Sequence, residues 1–334
     1  MTEFSVPRFS VLITSYRSLR FLQECLGSVL RSTGPSFELL FLENGSPEPE
    51  AEWIARNLPD PRLRVFQVPN TRFFAGGINY LAAHARGDYV VMLNADTRVV
   101  PGWLEEIDAR LRETGFEGMT ADVREMSHPE QAGNHVFSLD TFGLLHYTCM
   151  QANAPEPTLV TGGCGMAIRR DVFEELGGLD SDFRMYFEDI DFCWRMALRG
   201  YRIGYAPRAT VYHVGQGSTL SHGFLWNRFR GRRNRVWAYF KNAGPGMLAC
   251  FLPVYLVIAL GSIFGNLVRG KVRNAIAEVS ALAAAFYHIG IPLSKRGVVQ
   301  RTRVLSDRQL EELGLISAPF HGFWGRFYKR RPVR

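Results

Sequence analysis

The chain has 334 residues, 46% of them apolar and 21% charged. This ordinary globular composition excludes a disordered tail, a collagen-like repeat and a simple coiled coil. The net charge of +7 conceals a split: Ser221 to Arg334 holds 19 Lys/Arg against 4 Asp/Glu, while the first 220 residues hold 20 against 28. A mildly acidic first two thirds argues against nucleic acid as its partner.

Five cysteines, Cys25, Cys149, Cys164, Cys193 and Cys250, form no C-x-x-C pair. Neither a disulfide framework nor a zinc site is expected, and a reducing cytosolic setting fits. Met1 to Ser10 has no apolar run, so no signal peptide is expected. Asn44-Gly45-Ser46 matches a glycosylation sequon, which in a cytosolic chain is only a turn.

In chain order, Phe9-Ser10-Val11-Leu12-Ile13 reads as a buried strand ending at polar Thr14-Ser15-Tyr16. Leu19, Leu22, Cys25, Leu26, Val29 and Leu30 recur at helical spacing. Residues 37–42 form a second apolar strand, ending at Glu43-Asn44-Gly45-Ser46. A helix over 51–58, a strand over 62–68 and a helix over 76–86 follow. Residues 88–93 are a fourth strand, ending at Asn94-Ala95-Asp96, and Pro101 is well placed to open the next helix. Alternating helices and near-continuous apolar strands predict an α/β fold, a mostly parallel Rossmann-like sheet covered on both faces. Ligands of such sheets bind outside the carboxyl ends of the strands. Polar strand ends also follow simply from the exposure of loops.

Residues 115–157 show no clean period and read as a variable region with a hairpin. A strand over 158–169 starts at Gly162-Gly163, and a helix from Asp171 stops at Gly177-Gly178. Phe187-Glu188-Asp189-Ile190-Asp191 leads into a helix reaching Arg199-Gly200. Residues 201–205 and 209–213 read as two short strands. The spacing thus predicts one unit over 1–222, with halves of about 1–115 and 116–222, then a basic, apolar helical region over 223–334.

That last region carries Arg228, Arg230, Arg232, Arg233 and Arg235 among Phe224, Trp226, Phe229, Trp237, Tyr239 and Phe240. Met247 to Val268 follows as 22 residues without a charge, and residues 274–293 form a second, weaker apolar segment. Both a buried core pair and a membrane-associated hairpin fit. Basic residues flank both segments and fill the connector Arg269-Gly270-Lys271-Val272-Arg273, so in-plane or re-entrant packing suits the positive-inside tendency better than spanning. Arginines interleaved with aromatics suit an interfacial helix on anionic lipid. Lipid is a simpler partner for them than a nucleic acid strand.

Three constellations can carry chemistry. Asp96, after an apolar strand, can hold a divalent cation such as Mn²⁺ or Mg²⁺ against a diphosphate, or simply cap a turn. Glu188, Asp189 and Asp191 offer a general base, and also suit a helix start. Tyr186, Phe187 and Trp194 around them would make an aromatic wall for a sugar face. His213, before the glycine loop Gly215-Gln216-Gly217-Ser218, is a metal ligand or a structural histidine. No G-x-G-x-x-G follows the first strand, and no G-x-x-x-x-G-K-[ST] occurs.

In their order, Val11 to Tyr16, Leu42 to Ser46, Phe74 to Asn79, Gly87 to Asp96, Gly177 to Asp180, Tyr186 to Asp191 and Tyr212-His213 resemble the family 2 glycosyltransferases with the GT-A fold, specifically a bacterial rhamnosyltransferase-like branch. The resemblance covers residues 8–220. It implies an inverting transfer of one sugar from a nucleotide-diphosphate sugar to a hydroxyl of a glycan or lipid-linked acceptor, at the cytosolic membrane face. Thr14, Ser15, Tyr16, Glu43, Asn44, Asn70, Gly76, Gly77, Asn79, Asn94, Ala95 and Asp96 would bind the donor. Gly162, Gly163 and Trp194 would face the acceptor. Asp96 and His213 would hold the metal. Asp189 would be the base, with Glu188 and Asp191 beside it. The family often has Asp where this chain has Glu43 and Asn94. Gln300-Arg301-Thr302-Arg303 lacks the tryptophan of the processive signature Q-x-x-R-W. Competing readings are an inactive GT-A scaffold and a nucleotidyltransferase, whose glycine-rich, lysine-bearing loop is missing from residues 14–20. Oligomeric state is left open, a homo-oligomer included.

Overall fold

A computed structural model of the chain describes residues 6–129, 136–140, 145–147, 160–214 and 223–317. The amino-terminal half alternates as read from the sequence: β1 (Phe9–Ser15), α1 (Leu19–Leu30), β2 (Phe37–Asn44), α2 (Glu50–Asn57), β3 (Leu63–Val68), α3 (Phe73–Ala82) and β4 (Tyr89–Asn94). Then come a three-residue strand β5 (Thr97–Val99), α4 (Trp103–Thr114), β6 (Gly118–Glu125), β7 (Val136–Asp140) and β8 (Leu145–Tyr147). Next are β9 (Val160–Thr161), β10 (Met166–Arg169), α5 (Arg170–Glu175), a 3₁₀ turn at Ser181–Phe183, α6 (Glu188–Leu198) and β11 (Ile203–His213). The chain continues through α7 (Phe224–Asn242), α8 (Pro245–Val268), α9 (Val272–Tyr287), α10 (Gly290–Thr302), α11 (Asp307–Glu312) and β12 (Ile316–Ser317).

The main sheet has eight strands in the order β3-β2-β1-β4-β10-β6-β11-β5. β1 pairs parallel with β2 and β4, β2 with β3, and β6 with β11. β10 and β5 run antiparallel to their neighbours. Period-2 alternation decides which helix each strand residue meets. Val11, Ile13, Phe41 and Leu93 face α1 and α4, packing on Leu22, Leu26, Trp103 and Ile107. Leu12, Leu40, Val90 and Met92 face the other way, onto Ile78 and Leu81 of α3 and Phe192 and Met196 of α6. Both faces are covered, so the strands read as continuous apolar runs.

Several boundaries differ from the sequence reading. The two short strands expected over 201–213 are one strand, β11, whose register shifts between Ala206 and Thr210, across Pro207. The strand expected over 158–169 is two, β9 and β10, parted by the Gly162–Gly165 turn. The segment over 274–293 divides into α9 and α10, bent by 58°. β5 has three residues, too few for any periodicity to reveal it. The hairpin expected within 115–157 is present as the antiparallel pair β7 and β8, in a small second sheet with β12 and β9. The rest of that hairpin region and the glycine loop Gly215–Ser218 lie outside the described residues.

The carboxy-terminal helices are continuous with the α/β unit. Ile190, Trp194 and Leu198 of α6 share one apolar cluster with Trp237 and Tyr239 of α7, Phe251 and Tyr255 of α8, and Leu310 and Ile316. β12 pairs with β7. α7 is therefore no interfacial arginine helix. Trp237 and Tyr239 are fully buried, and Arg228 and Arg232 turn inward to Glu278 of α9.

Candidate active site

The carboxyl ends of β1, β2 and β4 lie side by side, with Thr14 opposite both Leu42 and Asn94 in register. Strand order reverses in direction about β1 and β4, where open α/β sheets form their crevice. The first turn of α3 closes tightly on β1. A Cβ on Gly77 would stand 2.4 Å from Thr14 Oγ1 and 3.0 Å from Asn44 Nδ2, so only glycine fits. Thr14 Oγ1 is buried without a hydrogen-bond partner among the described residues, an unmet polar group at a strand end.

Some residues expected to touch the donor are engaged elsewhere. Asn44 is buried: its Oδ1 accepts from Arg72 N at 2.7 Å and its Nδ2 donates to Phe73 O at 2.9 Å. It builds the left-handed entry to α3, where Phe73 has φ 54°. Asn79 likewise binds both the N–H and the C=O of Leu179, at 2.9 and 2.7 Å. A Cβ on Gly178, at φ 68°, would meet Asn79 Oδ1 at 2.5 Å. Glu43 accepts from Ala51 N and from Gln67 Nε2. The side chains of Asn44 and Asn79 are thus bonded to backbone groups, and Ser15 and Ala95 are buried. Tyr16 and Asn94 are half-buried, and Asn70 is exposed. A Cβ on Gly76 would stand 3.1 Å from Arg72 Cβ.

Asp96 and His213 come together although 117 residues separate them. The agent is β5, which pairs antiparallel with the end of β11 so that His213 lies opposite Thr97. Val214 N donates to Asp96 O at 3.0 Å. His213 Nε2 lies 3.1 Å from Asp96 Oδ1 and 3.1 Å from Asn94 Nδ2. Asp96 is nearly fully buried, and the His213 side chain is 15% exposed, so the pair opens through the histidine. One carboxylate oxygen and one imidazole nitrogen at this spacing suit Mn²⁺ or Mg²⁺, which take few protein ligands and fill their shell from phosphate oxygens and water. No cluster of three or more acidic, His or Cys side chains suited to a metal occurs among the described residues, so a cation here would depend on its ligand.

The second group of carboxylates divides by environment. Asp189 is part-exposed; its Oδ2 accepts from Gly163 N at 3.0 Å and its Oδ1 from Ile190 N at 2.8 Å. Burial raises its carboxyl above the usual aspartate range. Glu188 is buried with Oε2 unpartnered among the described residues, and burial, then Asp189 beside it, pushes its carboxyl well above normal. Asp191 is fully buried and bound by Arg195 Nε, Lys241 Nζ and Asn242 Nδ2, each at 2.9 Å. Burial opposes its charge, but Lys241 and Arg195 outweigh that and hold it low. Asp191 is thus a structural anion and Glu188 a shielded acid, leaving Asp189 as the accessible carboxylate. Trp194 is fully buried against Tyr239, ring centroids 4.9 Å apart, and has no exposed face.

The turn over 162–165 links the two groups. Gly165 N donates to Met92 O at 2.8 Å, two residues before Asn94, while Gly163 holds Asp189. The segment entering α6 is strained: Arg184, Tyr186 and Phe187 have φ of 64°, 68° and 71°. Asn234 of α7, fully buried, holds it by donating from Nδ2 to Phe183 O, Met185 O and Tyr186 O at 3.0, 3.0 and 2.7 Å. Below it, Lys241 bridges Asp180 and Asp191 at 2.7 and 2.9 Å, and Lys295 binds Asp180 at 2.5 Å. Burial opposes the Asp180 charge, but the two lysines bring that carboxyl down to about 2. A cavity of about 730 Å³ between residues 175–182 and α10 is lined by these same paired ions and lies apart from Asp96. Asn234 and Lys241 were not singled out from the sequence. Their signal was present in the polar residues of an otherwise core-facing helix.

The doubly covered α/β sheet with its flanking helices is of the GT-A type. Residues 7–239 match the family described as Glycosyltransferase like family 2, and the chain belongs to that family. It is 27% identical over 225 residues to the O-antigen biosynthesis protein RfbC of Myxococcus xanthus, covering 62% of this chain and 17% of that one. It is 25% identical over 223 residues to the putative glycosyltransferase EpsE of Bacillus subtilis, covering 64% and 75%. Another relative, the uncharacterized protein y4gI of Sinorhizobium fredii, is 28% identical over 262 residues. This chain spans only 28% of y4gI's length, as it spans only a small part of RfbC. Among solved structures, S. aureus TarS 1-349 in complex with UDP-GlcNAc superposes with a TM-score of 0.58 at 15% identity, over 88% of this chain and 91% of that one. The mannosyltransferase PcManGT of Pyrobaculum calidifontis, in complex with GDP-Man and Mn²⁺, gives 0.56 at 17% identity, over 85% and 88%.

Proposed function

We propose that the chain is an inverting glycosyltransferase that moves one sugar from a nucleotide-diphosphate sugar to a hydroxyl of a glycan or lipid-linked acceptor. The observation that carries this reading is the placement of Asp96 and His213 at one end of the 162–165 turn and Asp189 at the other. The donor lies over the ends of β1 and β4, with its base near Thr14 and Tyr16. Asp96 and His213 would hold a divalent cation, which would supply positive charge to the departing diphosphate. Asp189 takes the proton of the acceptor hydroxyl, the oxygen bonds to the anomeric carbon from the opposite face, and the carbon–oxygen bond to the diphosphate breaks. A carboxyl raised by burial is a stronger base than an ordinary aspartate once ionised. Gly163 N–H fixes the orientation of that carboxylate.

The nucleotide sugars bound by TarS and PcManGT support the donor class, and the Mn²⁺ bound by PcManGT supports the cation. The resemblance to the rhamnosyltransferase-like branch makes a rhamnosyl donor the first to test. Membrane contact is part of the same proposal. On α8, Met247, Phe251, Tyr255 and Ala259 pack on protein, while Val257, Leu260, Phe264 and Val268 are 70, 60, 68 and 70% exposed. Ile276 and Val279 of α9 extend this apolar face, and Arg269, Lys271 and Arg273 border it. A helix with one protein-facing and one exposed apolar stripe suits in-plane docking on the cytosolic leaflet.

The test is release of nucleoside diphosphate from a panel of nucleotide sugars by the detergent-solubilised chain, with Mn²⁺, Mg²⁺ or chelator and a lipid extract as acceptor. Metal-dependent release from one donor, lost in Asp96→Ala and Asp189→Asn, is expected. No turnover of any donor would refute the proposal.

A further inference from the structure

Three guanidinium groups crowd together beside the segment that enters α6. Arg184 belongs to that segment, and Arg230 and Arg233 lie on successive turns of α7. Arg184 lies over the Phe73 ring at 5.3 Å, Phe73 stacks on Trp226 at 6.2 Å and 17°, and Arg230 lies over Trp226 at 5.1 Å. Arg184 O accepts from Ala75 N in the first turn of α3, so the group sits between α3 and α7, next to Asp189's segment.

The neighbouring arginines of α7 show what is unusual here. Arg228 and Arg232 both pair with Glu278, and on α6 Arg195 pairs with Asp191. Arg184, Arg230 and Arg233 have no ion pair among the described residues. Arg230 is 9% exposed, and its Nε is buried without a hydrogen-bond partner among the described residues. Arg233 is 7% exposed and spends its donors on neutral oxygens, Asn234 Oδ1 at 2.9 and 2.6 Å and Asp182 O at 3.2 Å. The nearest acid, Asp182, is itself paired with Lys295. Burial, then Arg230 and Arg184, push Arg233 down to about 10; burial and Arg184 lower Arg230 as well. Buried like charges without counter-ions are costly. Such a fork of planar donors is the chemistry that binds phosphate oxygens in pairs.

We propose that Arg184, Arg230 and Arg233 form an anion site for a phosphate or diphosphate carried by the acceptor, with the Phe73–Trp226 stack beside it as an apolar platform. The inference rests on the glycosyltransferase reading, in which the donor diphosphate belongs to Asp96 and His213. Its location favours the acceptor: α7 carries both the arginines and, through Tyr255 Oη donating to Arg232 O at 3.2 Å, the apolar helix α8. An acceptor whose phosphate sits at headgroup height and whose hydroxyl reaches Asp189 meets all three features.

The test is tryptophan fluorescence of the full chain in detergent, titrated with inorganic pyrophosphate and with farnesyl diphosphate in chelator. Nucleoside diphosphates are titrated separately with Mn²⁺. Saturable binding of both phosphates is expected, weakened about tenfold or more in Arg184→Gln/Arg230→Gln and partly restored by the double lysine variant. Arg184→Gln alone, at an exposed position, should show the same direction without a folding defect. Nucleoside diphosphate affinity should stay within about twofold in every variant. No saturable binding by the wild type, or equal binding by the double glutamine variant, would overturn the site. A parallel loss of nucleoside diphosphate affinity would overturn its assignment to the acceptor. A wild type that binds pyrophosphate but no nucleoside diphosphate counts for the anion site and against the transferase reading.

Discussion

Replacing Asn234 with alanine removes one buried amide from beneath three carbonyls. Its two protons are shared among Phe183 O, Met185 O and Tyr186 O. Each buried acceptor left unpaired costs about 1–3 kcal/mol, and two protons make at most two full bonds, so the loss is about 2–6 kcal/mol if the segment holds its shape. It has reason not to hold: Tyr186 and Phe187 are both left-handed without being glycine, at about 1–3 kcal/mol each. Relaxation would recover part of the lost stability and displace Asp189, two residues further on. A displacement of about 1 Å at a reacting group costs roughly 100-fold in rate. Asn234→Ala should therefore lower the unfolding midpoint by several degrees, at about 2–4 °C per kcal/mol for large domains. It should also lower kcat by about 10–100-fold while donor KM changes little, because no strand end of the donor crevice is touched. Asn234→Asp keeps the acceptor that Arg233 uses and removes only the donors, so it should match alanine in kcat. The assays are thermal unfolding by circular dichroism and nucleoside diphosphate release. An alanine variant with unchanged midpoint and kcat would refute the reasoning.

Burial raises Asp189, so the acid limb of kcat/KM should lie above the ~3.9 of a free aspartate, with rate lost as pH falls through it; Asp189→Asn should remove both the limb and about 100-fold or more of the rate. Asp180, held near 2 when folded, contributes stability that is present above its unfolded value of ~3.9 and lost as pH falls toward 2, roughly 2–3 kcal/mol in all. Asp180→Asn should accordingly lower the unfolding midpoint at pH 7 and flatten its acid dependence, read by thermal melts across that window. Glu188 has the opposite sign: its raised carboxyl destabilises the fold at pH above its unfolded value, so Glu188→Gln should raise the midpoint at neutral pH. Leu260→Asp with Phe264→Asp should abolish co-sedimentation with anionic liposomes while leaving the soluble fold's circular dichroism unchanged; retained sedimentation would sink the docking face.

The amino-terminal half was legible because its signals are local. Continuous apolar strands, helical periodicity and polar strand ends lie within windows of about ten residues, and β1 to β4 fall within a residue or three of their expected bounds. Asp96, Asp189 and His213, the proposed metal and base residues, could be singled out in the sequence because each sits at the end of an element. Other residues that shape the site act over long separations: β5 brings His213 to Asp96, and Asn234 reaches back about fifty residues to the α6 entry. No local period encodes such contacts. Side-chain fate was the least legible. Trp194, Asp191, Asn44 and Asn79 have the residue types of a sugar site, yet neighbours distant in sequence bury or saturate each of them.

The same long-range contacts decide what the carboxy-terminal region is. A basic, apolar tail reads as a detachable mooring, for which deleting residues 242–334 would be the natural test. That deletion would remove Asn242 from Asp191, Lys295 from Asp180 and Asp182, and β12 from β7. Buried Asp180 would keep only one of its two lysines and Asp191 would lose an amide donor, and the loss of Phe251 and Tyr255 would open the cluster that seats Trp194. A truncate that fails to bind membranes would then report unfolding as readily as lost docking. Point charges on the outward stripe of α8 leave the inward stripe in place, and so separate the two. By its packing, α7 holds the strained entry to α6 on one side and seats the apolar helices on the other. On the proposed reading, an acceptor held by the arginines of α7 lies beside the segment that carries Asp189.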